Sequence, residues 1–178
     1  MENIRIPLNF GSIAGICSFA IFLLLYFTGY NPLGNLSWTA AWVPIVFIIL
    51  GIKRHRDNNL NGFMSYGQAL GIGCMIAIVF ASFYGILVYI FGVLIDPGIV
   101  ELSKREAMES MEKASEQLPQ VFGEEMYDKM LEQIDEISIS SISLSEFTNK
   151  LIWGILISLI AAAFLKKNQS PLEETADE

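Results

Sequence analysis

The side chains that could carry chemistry are few in this sequence of 178 residues. The single histidine, His55, lies in a basic cluster at residues 53–56, so no histidine-based metal site or catalytic triad can be assembled. The two cysteines, Cys17 and Cys74, lie in apolar runs and form no Cys-x-x-Cys pair. Metalloprotease, nucleophile-elbow and phosphate-loop motifs are absent from the sequence. The sequence therefore predicts a non-enzymatic protein with no catalytic residue, no cofactor and no bound metal.

Acidic residues are abundant, but their pattern does not indicate a site. Thirteen of the 19 acidic residues fall between Asp96 and Glu146, and the net charge of the chain is −8. They lack the spaced Asp or Asn ligands and the glycine of a calcium loop, so we interpret them as a solvated helix face. Because phosphate binding needs clustered Lys and Arg, no nucleic-acid partner is expected. Anionic lipid headgroups would also repel this segment.

The elements that must position any functional side chain are long and apolar. Residues 6–52, 58–95 and 151–165 contain no Asp, Glu, Lys, Arg or His. A bilayer core about 30 Å thick is crossed by roughly 20 apolar residues in helical form. The chain is therefore predicted to be an all-α integral membrane protein, a four-helix bundle with an extracytoplasmic helical insert between the third and fourth spans. The predicted spans are about 8–28, 36–52, 66–95 and 143–167.

The fourth span is the least regular of the four. Residues 151–165 cover only about 22 Å as a helix, so an earlier start is needed. Ser143 and Glu146 have the spacing of a capping box and predict that start. Lys150 is then expected to extend its ammonium to the membrane surface. With no charged group expected deep in any span, the pattern disfavours a proton-coupled transporter or an ion pump.

Basic and aromatic residues predict the orientation. Arg5, residues 53–56 and residues 166–167 fall on one face if there are four spans. The turn after the first span lies on the other face, has no basic residue, and is bracketed by Tyr26, Tyr30, Trp38 and Trp42, which is typical of a membrane interface. The positive-inside rule then predicts that both termini are cytoplasmic.

The insert at residues 96–142 is patterned rather than merely polar. Apolar residues recur at the spacing of two amphipathic helices separated by Pro119, which predicts a helical hairpin. A methionine stripe is either a partner-docking surface or the seam between the two helices. This stripe comprises Met108, Met111, Met126 and Met130. Residues 137–144 are interpreted as a linker, and residues 168–178 as an acidic disordered tail.

Small residues recur at four-residue spacing in three spans, where they would let helix backbones approach closely. The predicted packing positions are Gly11, Gly15, Gly67, Gly71, Gly73, Ala77, Ala81, Gly85, Gly154, Ser158 and Ala162. Two interpretations remain open. The stripes either hold one chain together as a compact bundle or support self-association into a homo-oligomer in the membrane.

From Gly11 to about Lys167 the chain resembles a family of uncharacterised bacterial membrane proteins, the one named domain of unknown function 4199. The resemblance rests on Gly11 and Gly15, residues 65–69 (Ser-Tyr-Gly-Gln-Ala), Asp96-Pro97, the acidic insert and Lys166-Lys167. Members occur mainly in bacteria of the Bacteroidota type, so the resemblance implies a bacterial inner membrane. It implies no catalytic residue, since the family has no established activity.

Two functions follow as hypotheses. The first is an accessory or regulatory membrane subunit whose insert contacts a membrane or periplasmic protein, because the insert is patterned while the spans lack catalytic groups. The alternative is a small-molecule transporter or channel component. That alternative needs a polar lining, which the sequence could supply only from Ser, Gln and Gly positions in the spans.

Overall fold

The computed structural model describes residues 2–117 and 124–167, and every regular element in these ranges is helical. The helices are α1 (Glu2–Phe27), a 3-10 helix (Asn35–Ala40), α2 (Trp42–Asn59), α3 (Tyr66–Leu94), α4 (Ile99–Gln117), α5 (Glu124–Asp135) and α6 (Ile139–Leu165). The all-α prediction is confirmed. Four segments are long and apolar enough to cross a membrane: Ile4–Phe27, Leu36–Asn59, Tyr66–Leu94 and Ile139–Leu165. Pro119 and residues 168–178 lie outside the described residues.

The second span begins at Leu36, as predicted, but ends later than predicted. It opens with the 3-10 helix, and α2 then continues through the basic cluster to Asn59 instead of ending near Ile52. Lys and Arg are good helix formers, so charge alone does not stop the helix. The turn comes only at Asn61 and Gly62, which both have positive φ, 50° and 86°. We call the end of the bundle that carries residues 53–56 the basic end, and the opposite end, where α4 begins, the insert end.

The last helix begins earlier than predicted, and with a different cap. Ser138 and Ser141 form the capping box, and Ser138 Oγ accepts a hydrogen bond from the backbone N–H of Ser141. The predicted capping box at Ser143 and Glu146 is therefore wrong, because both residues lie inside α6. The predicted linker at residues 137–144 is mostly the first turns of that helix. The alternation of Ile and Ser there gave no helical period, but serine at an N-cap satisfies free N–H groups at low cost.

The core centres on α3, which packs most extensively against α6 and then against α1. Toward the basic end, a tightly filled cluster includes Ile48, Ile52, Ile76 and Ala161. Toward the insert end, a second cluster of Phe22, Val88 and Phe91 includes edge-to-face ring contacts. Both clusters bury apolar area between helices, which fixes the arrangement of the spans around α3.

The insert is attached to the bundle by polar and apolar contacts. Tyr26 Oη donates to Asp96 Oδ2 at 3.0 Å, and Asp96 Oδ1 accepts from the Gly98 N–H at 2.9 Å. Ile99, the first residue of α4, is buried in the cluster at the insert end. Lys104 Nζ donates to the Asp135 carbonyl at 2.9 Å, which joins the start of α4 to the end of α5. The described parts of the insert are thus two helices in contact.

Candidate functional site

A cavity of about 940 Å³ opens at the insert end of the bundle. Its walls come from α1, the 3-10 helix, the start of α2, and α6, while α4 lies across its entrance. The chain between α1 and α2, which turns at Gly29 with φ 81°, supplies part of the lining, including Gly34 and Trp38. Toward the basic end the same space is filled by the cluster around Ile48 and Ala161.

The floor of the cavity is apolar except for one hydroxyl. Phe80 from α3, Pro44 and Ile45 from α2, and Ile157 from α6 supply the apolar surface. Ser18 from α1 also lines this floor, is only 1% exposed, and its Oγ makes no hydrogen bond. A buried hydroxyl without a partner costs free energy, so this atom is a polar contact point that the protein itself leaves unused.

An ion pair lies on the α6 wall. Lys150 Nζ is 3.4 Å from Glu146 Oε2, with side chains 21% and 14% exposed. The geometry of this contact is not that of a hydrogen bond, and Oε2 has no other donor. Lys150 Nζ also lies 5.0 Å from the centre of the Tyr84 ring, a cation–π distance. The pair is thus held between α6 and α3 and borders the cavity.

The ion pair bears on the prediction that Lys150 extends its ammonium to the membrane surface. At about 1.5 Å per residue, Lys150 lies about 22 Å along α6 from Leu165, near the far boundary of a core about 30 Å thick that begins at Leu165. Its side chain does extend toward the insert end, as predicted, but its ammonium ends against Glu146 and Tyr84 within the bundle. A carboxylate and an aromatic face offset part of the cost of the buried cation.

One face of α4 presents polar side chains to the cavity. Ser103, Glu106, Glu109, Ser110 and Lys113 all line it. The carboxylate of Glu106 lies against Gly34 in the loop after α1. A Cβ at Gly34 would lie only 2.7 Å from either carboxylate oxygen. Gly34 therefore allows this close approach of the carboxylate.

Two tryptophans meet at the side of the cavity. Trp38 of the 3-10 helix and Trp153 of α6 form an edge-to-face pair with ring centres 5.4 Å apart. Both rings line the cavity and both are largely exposed on the bundle surface. In a membrane these exposed indoles would lie at the boundary between lipid and cavity, which is the environment that tryptophan prefers.

The side chains that line the cavity offer hydroxyls, an amide (Asn149), carboxylates, ammonium groups and aromatic rings. Among residues 2–117 and 124–167, no three His, Cys, Asp or Glu side chains come together as metal ligands. The arrangement can hold a molecule that is polar at one end and apolar at the other.

Most of the predicted packing residues lie at helix contacts. Added Cβ atoms at Gly11, Gly15, Gly73 and Gly154 would lie 2.6–2.7 Å from Val79, Phe83, Ser158 and Ala77, respectively. Gly85 lies against Phe147, and Ala77, Ala81, Ser158 and Ala162 are fully buried. These positions pack one helix on another within the chain.

Gly67 and Gly71 are different. Both are exposed, and neither has a neighbour within 4 Å of an added Cβ. The prediction that they pack helices is wrong within this chain, because they lie on the face of α3 turned away from the bundle. Two other glycines do make close contacts, Gly51 with Ile76 and Gly92 with Ile139. They lie outside any four-residue repeat, so spacing could not identify them.

The methionine stripe does not form one exposed surface. Met111 is only 4% exposed, whereas Met108 and Met126 are 39% and 48% exposed, and Met130 is half-buried. Met111 is therefore covered within the described part of the chain and is not open to a partner, whereas Met108 and Met126 are exposed.

The sequence contained a signal for the ion pair that the prediction did not use. Glu146 and Lys150 have the i, i+4 spacing that places both side chains on one helix face. Only the packing of α6 against α3 showed that this face turns toward Tyr84 and the cavity.

Comparison with known proteins gives one match. Residues 9–167 match the model of a family described as protein of unknown function (DUF4199). No curated protein and no solved structure matches the chain.

Proposed function

The chain belongs to the DUF4199 family, whose function is unknown, and we propose from its own geometry that it is a non-enzymatic membrane subunit that binds a small amphiphilic molecule in the cavity at the insert end. In this proposal the protein lies in a bacterial inner membrane with both termini cytoplasmic. The insert is then extracytoplasmic, and the cavity opens to the outer leaflet.

The observation that carries this proposal is the division of the cavity between polar and apolar surface. Its floor, at the depth of Phe80 and Ile157, is apolar, while its entrance is lined by Ser103, Glu106 and Lys113 of α4. A volume of about 940 Å³ is at the upper end of the range for small-molecule sites. An amphiphile could place its chain along the floor and its headgroup beneath α4.

The filled basic half of the bundle supports binding over conduction. Ile48, Ile52, Ile76 and Ala161 are fully buried or nearly so between the cavity and the basic end. A channel or transporter would have to open this cluster, at the cost of its apolar packing. A role as an accessory or regulatory subunit, which senses or presents the bound molecule, requires no such opening.

Docking of a protein on the methionines of the insert has less support. Met111 is buried, and α4 is engaged in covering the cavity through Glu106. A partner protein or a second copy of this chain would then respond to occupancy of the cavity rather than to the methionine stripe itself. With or without such a partner, the protein contacts the lipid bilayer.

Photolabelling tests the proposal. Purified protein in liposomes is illuminated with dodecanol that carries a diazirine in its chain, and labelled residues are mapped by mass spectrometry. We expect labelling at the cavity-lining residues Lys150, Trp153 and Ile157 and in the 3-10 helix to exceed that at Phe164, whose ring is almost fully exposed on α6. Ala41 lines the cavity, so the indole of Ala41→Trp should obstruct it and remove the excess labelling.

The matched control is Ala20→Trp, because Ala20 is an exposed residue of α1 that does not line the cavity. Melting temperature and gel-filtration profile check that both variants are folded. If labelling of the cavity residues equals that of Phe164 in the parent, or survives Ala41→Trp in folded protein, the proposal is wrong.

A further inference from the structure

We infer that the amphiphile bound in this cavity carries a positively charged amine headgroup. This inference rests on the proposed function and adds the chemical class of the ligand. The observations behind it are the charges that line the cavity, the polar atoms left without partners, and the aromatic rings at its side.

Carboxylates outnumber ammonium groups around the cavity. Glu106, Glu109 and Glu146 line it, against Lys113 and Lys150. Lys150 and Glu146 offset each other, since the Lys150 Nζ lies 3.4 Å from Glu146 Oε2. Glu109 and Lys113 are both exposed, where water weakens the field of each. The half-buried carboxylate of Glu106 therefore leaves the lining with a net negative charge. An anionic headgroup would therefore meet net repulsion, whereas a cationic headgroup would meet net attraction.

Acceptor atoms inside the cavity lack donors. Glu146 Oε2 makes no hydrogen bond, although Lys150 is 3.4 Å away. A carboxylate is acceptor-only when ionised, so it needs a donor from elsewhere. The Oγ of Ser18, almost fully buried in the floor, is also without a hydrogen bond. Both atoms are almost fully covered and Glu146 is paired with Lys150, so the carboxylate open to a protonated amine, with its three N–H donors, is that of Glu106, which lies against Gly34.

The aromatic rings at the side of the cavity suit the same headgroup. Trp38 and Trp153 line the cavity and form an edge-to-face pair. The faces of indole rings attract cations, more strongly where water is excluded. Carboxylates beneath α4 and indole faces at the side are a combination that recognises an alkylammonium group, and a carboxylate headgroup would gain from neither.

Three probes of one chain length test the inference. They are diazirine-bearing dodecylamine, dodecanol and dodecanoate, applied to the protein in liposomes at neutral pH. The readout is labelling of cavity residues divided by labelling of Phe164, which removes differences in partition into the bilayer. A charge-assisted hydrogen bond predicts a preference of about tenfold for the amine over the alcohol, with the carboxylate weakest.

Carboxamide variants locate the source of that preference. Glu146→Gln and Glu106→Gln keep the shape of the side chain but remove its charge, and each should bring the amine close to the alcohol. Glu132→Gln is the control, because Glu132 is exposed on α5 and does not line the cavity. It should leave the preference unchanged.

The outcomes distinguish a failure of the proposed function from a failure of this inference alone. If none of the probes labels the cavity above Phe164, the inference falls together with the proposed function. If the alcohol labels the cavity but the amine has no advantage, or keeps its advantage in both carboxamide variants, the inference alone is overturned.

Discussion

The ammonium of Lys150 lies 5.0 Å from the ring centre of Tyr84 and 3.4 Å from a carboxylate oxygen of Glu146, so one cation joins α6 to α3 beside the cavity. Glu146 and Lys150 are four residues apart in α6, whereas Tyr84 belongs to α3. Charged groups between membrane-spanning helices are costly unless they are paired. Variants of this contact therefore test the fold as well as the site.

Removing the cation should destabilise the protein more than removing both charges. Lys150→Met leaves Glu146 without a counter-ion in a mostly buried position, and we expect a loss of roughly 1–3 kcal/mol. The double variant Glu146→Gln with Lys150→Met should recover part of this loss. Thermal unfolding in detergent measures all variants, with Lys113→Met on exposed surface as the control. Losses that are additive for Lys150→Met and Glu146→Gln would show that the two charges do not interact.

The hydrogen bond between Tyr26 and Asp96 should hold the start of α4 in place. Tyr26→Phe removes the hydroxyl that donates to Asp96 Oδ2 at 3.0 Å, while the ring contact with Phe91 remains. We expect about 1 kcal/mol of destabilisation and faster amide hydrogen exchange at residues 96–102. Tyr89→Phe, on an exposed face of α3, should change neither quantity. Unchanged exchange in Tyr26→Phe would mean that apolar contacts of Ile99 alone position α4.

Overpacking should distinguish the buried stripe of α3 from its exposed face. Ala81 has no exposed surface, so Ala81→Leu must push neighbouring side chains or helices apart, at a cost of roughly 1–3 kcal/mol. Ile78 is 49% exposed, and Ile78→Leu should be nearly neutral. Melting temperatures in the same detergent compare the two. Equal melting temperatures for Ala81→Leu and the parent would contradict the packing described for this stripe.

The orientation can be tested in intact cells by cysteine labelling. In a background where Cys17 and Cys74 are replaced by Ser, Glu112→Cys places a thiol on α4 and Asn58→Cys places one at the basic end. Both positions are exposed. The positive-inside rule predicts that a membrane-impermeant reagent modifies only the residue at 112. Modification at 58 but not at 112 would invert the orientation.

Burial within the insert separates two neighbouring methionines. Met111→Asp introduces a carboxylate at a position that is 4% exposed, where an unpaired charge is expensive, while Met108→Asp does so at a position that is 39% exposed. Limited proteolysis of the full-length protein should therefore cut the insert faster in Met111→Asp than in Met108→Asp or the parent. Equal rates in all three would show that Met111 contributes no packing to the insert.

The apolar spans were determined by sequence alone because transfer of charge into a bilayer is so unfavourable. Residues 6–52, 58–95 and 151–165 carry no charge; the first stretch contains most of the first two candidate spans, and the other two contribute to the third and the fourth. Local turn chemistry added the break after α3, where Pro97 and Gly98 follow Asp96. Family membership was also evident from the order of these features.

The sequence alone did not determine the boundaries of α2 and α6. Lys, Arg and Ser are tolerated both in helices and at their ends, so neither residues 53–56 nor residues 137–144 contained a decisive local signal. Gly67 and Gly71 had the same spacing as Gly11 and Gly15, yet only the latter pair faces another helix. Periodicity fixes which residues share a helix face, but rotation of that face toward or away from the core depends on the other helices.

The cavity and its charges were decided by tertiary structure alone. Ser18, Glu146 and Trp38 come from three segments whose separation in sequence gives no indication that they meet. The type of each side chain determines what it can bind, and the 3.6-residue period of the helix places Glu146 and Lys150 on one face. Packing between the helices determines whether the face that Glu146 and Lys150 share meets lipid, water or Tyr84. Only the folded chain defines the space that the helices leave unfilled.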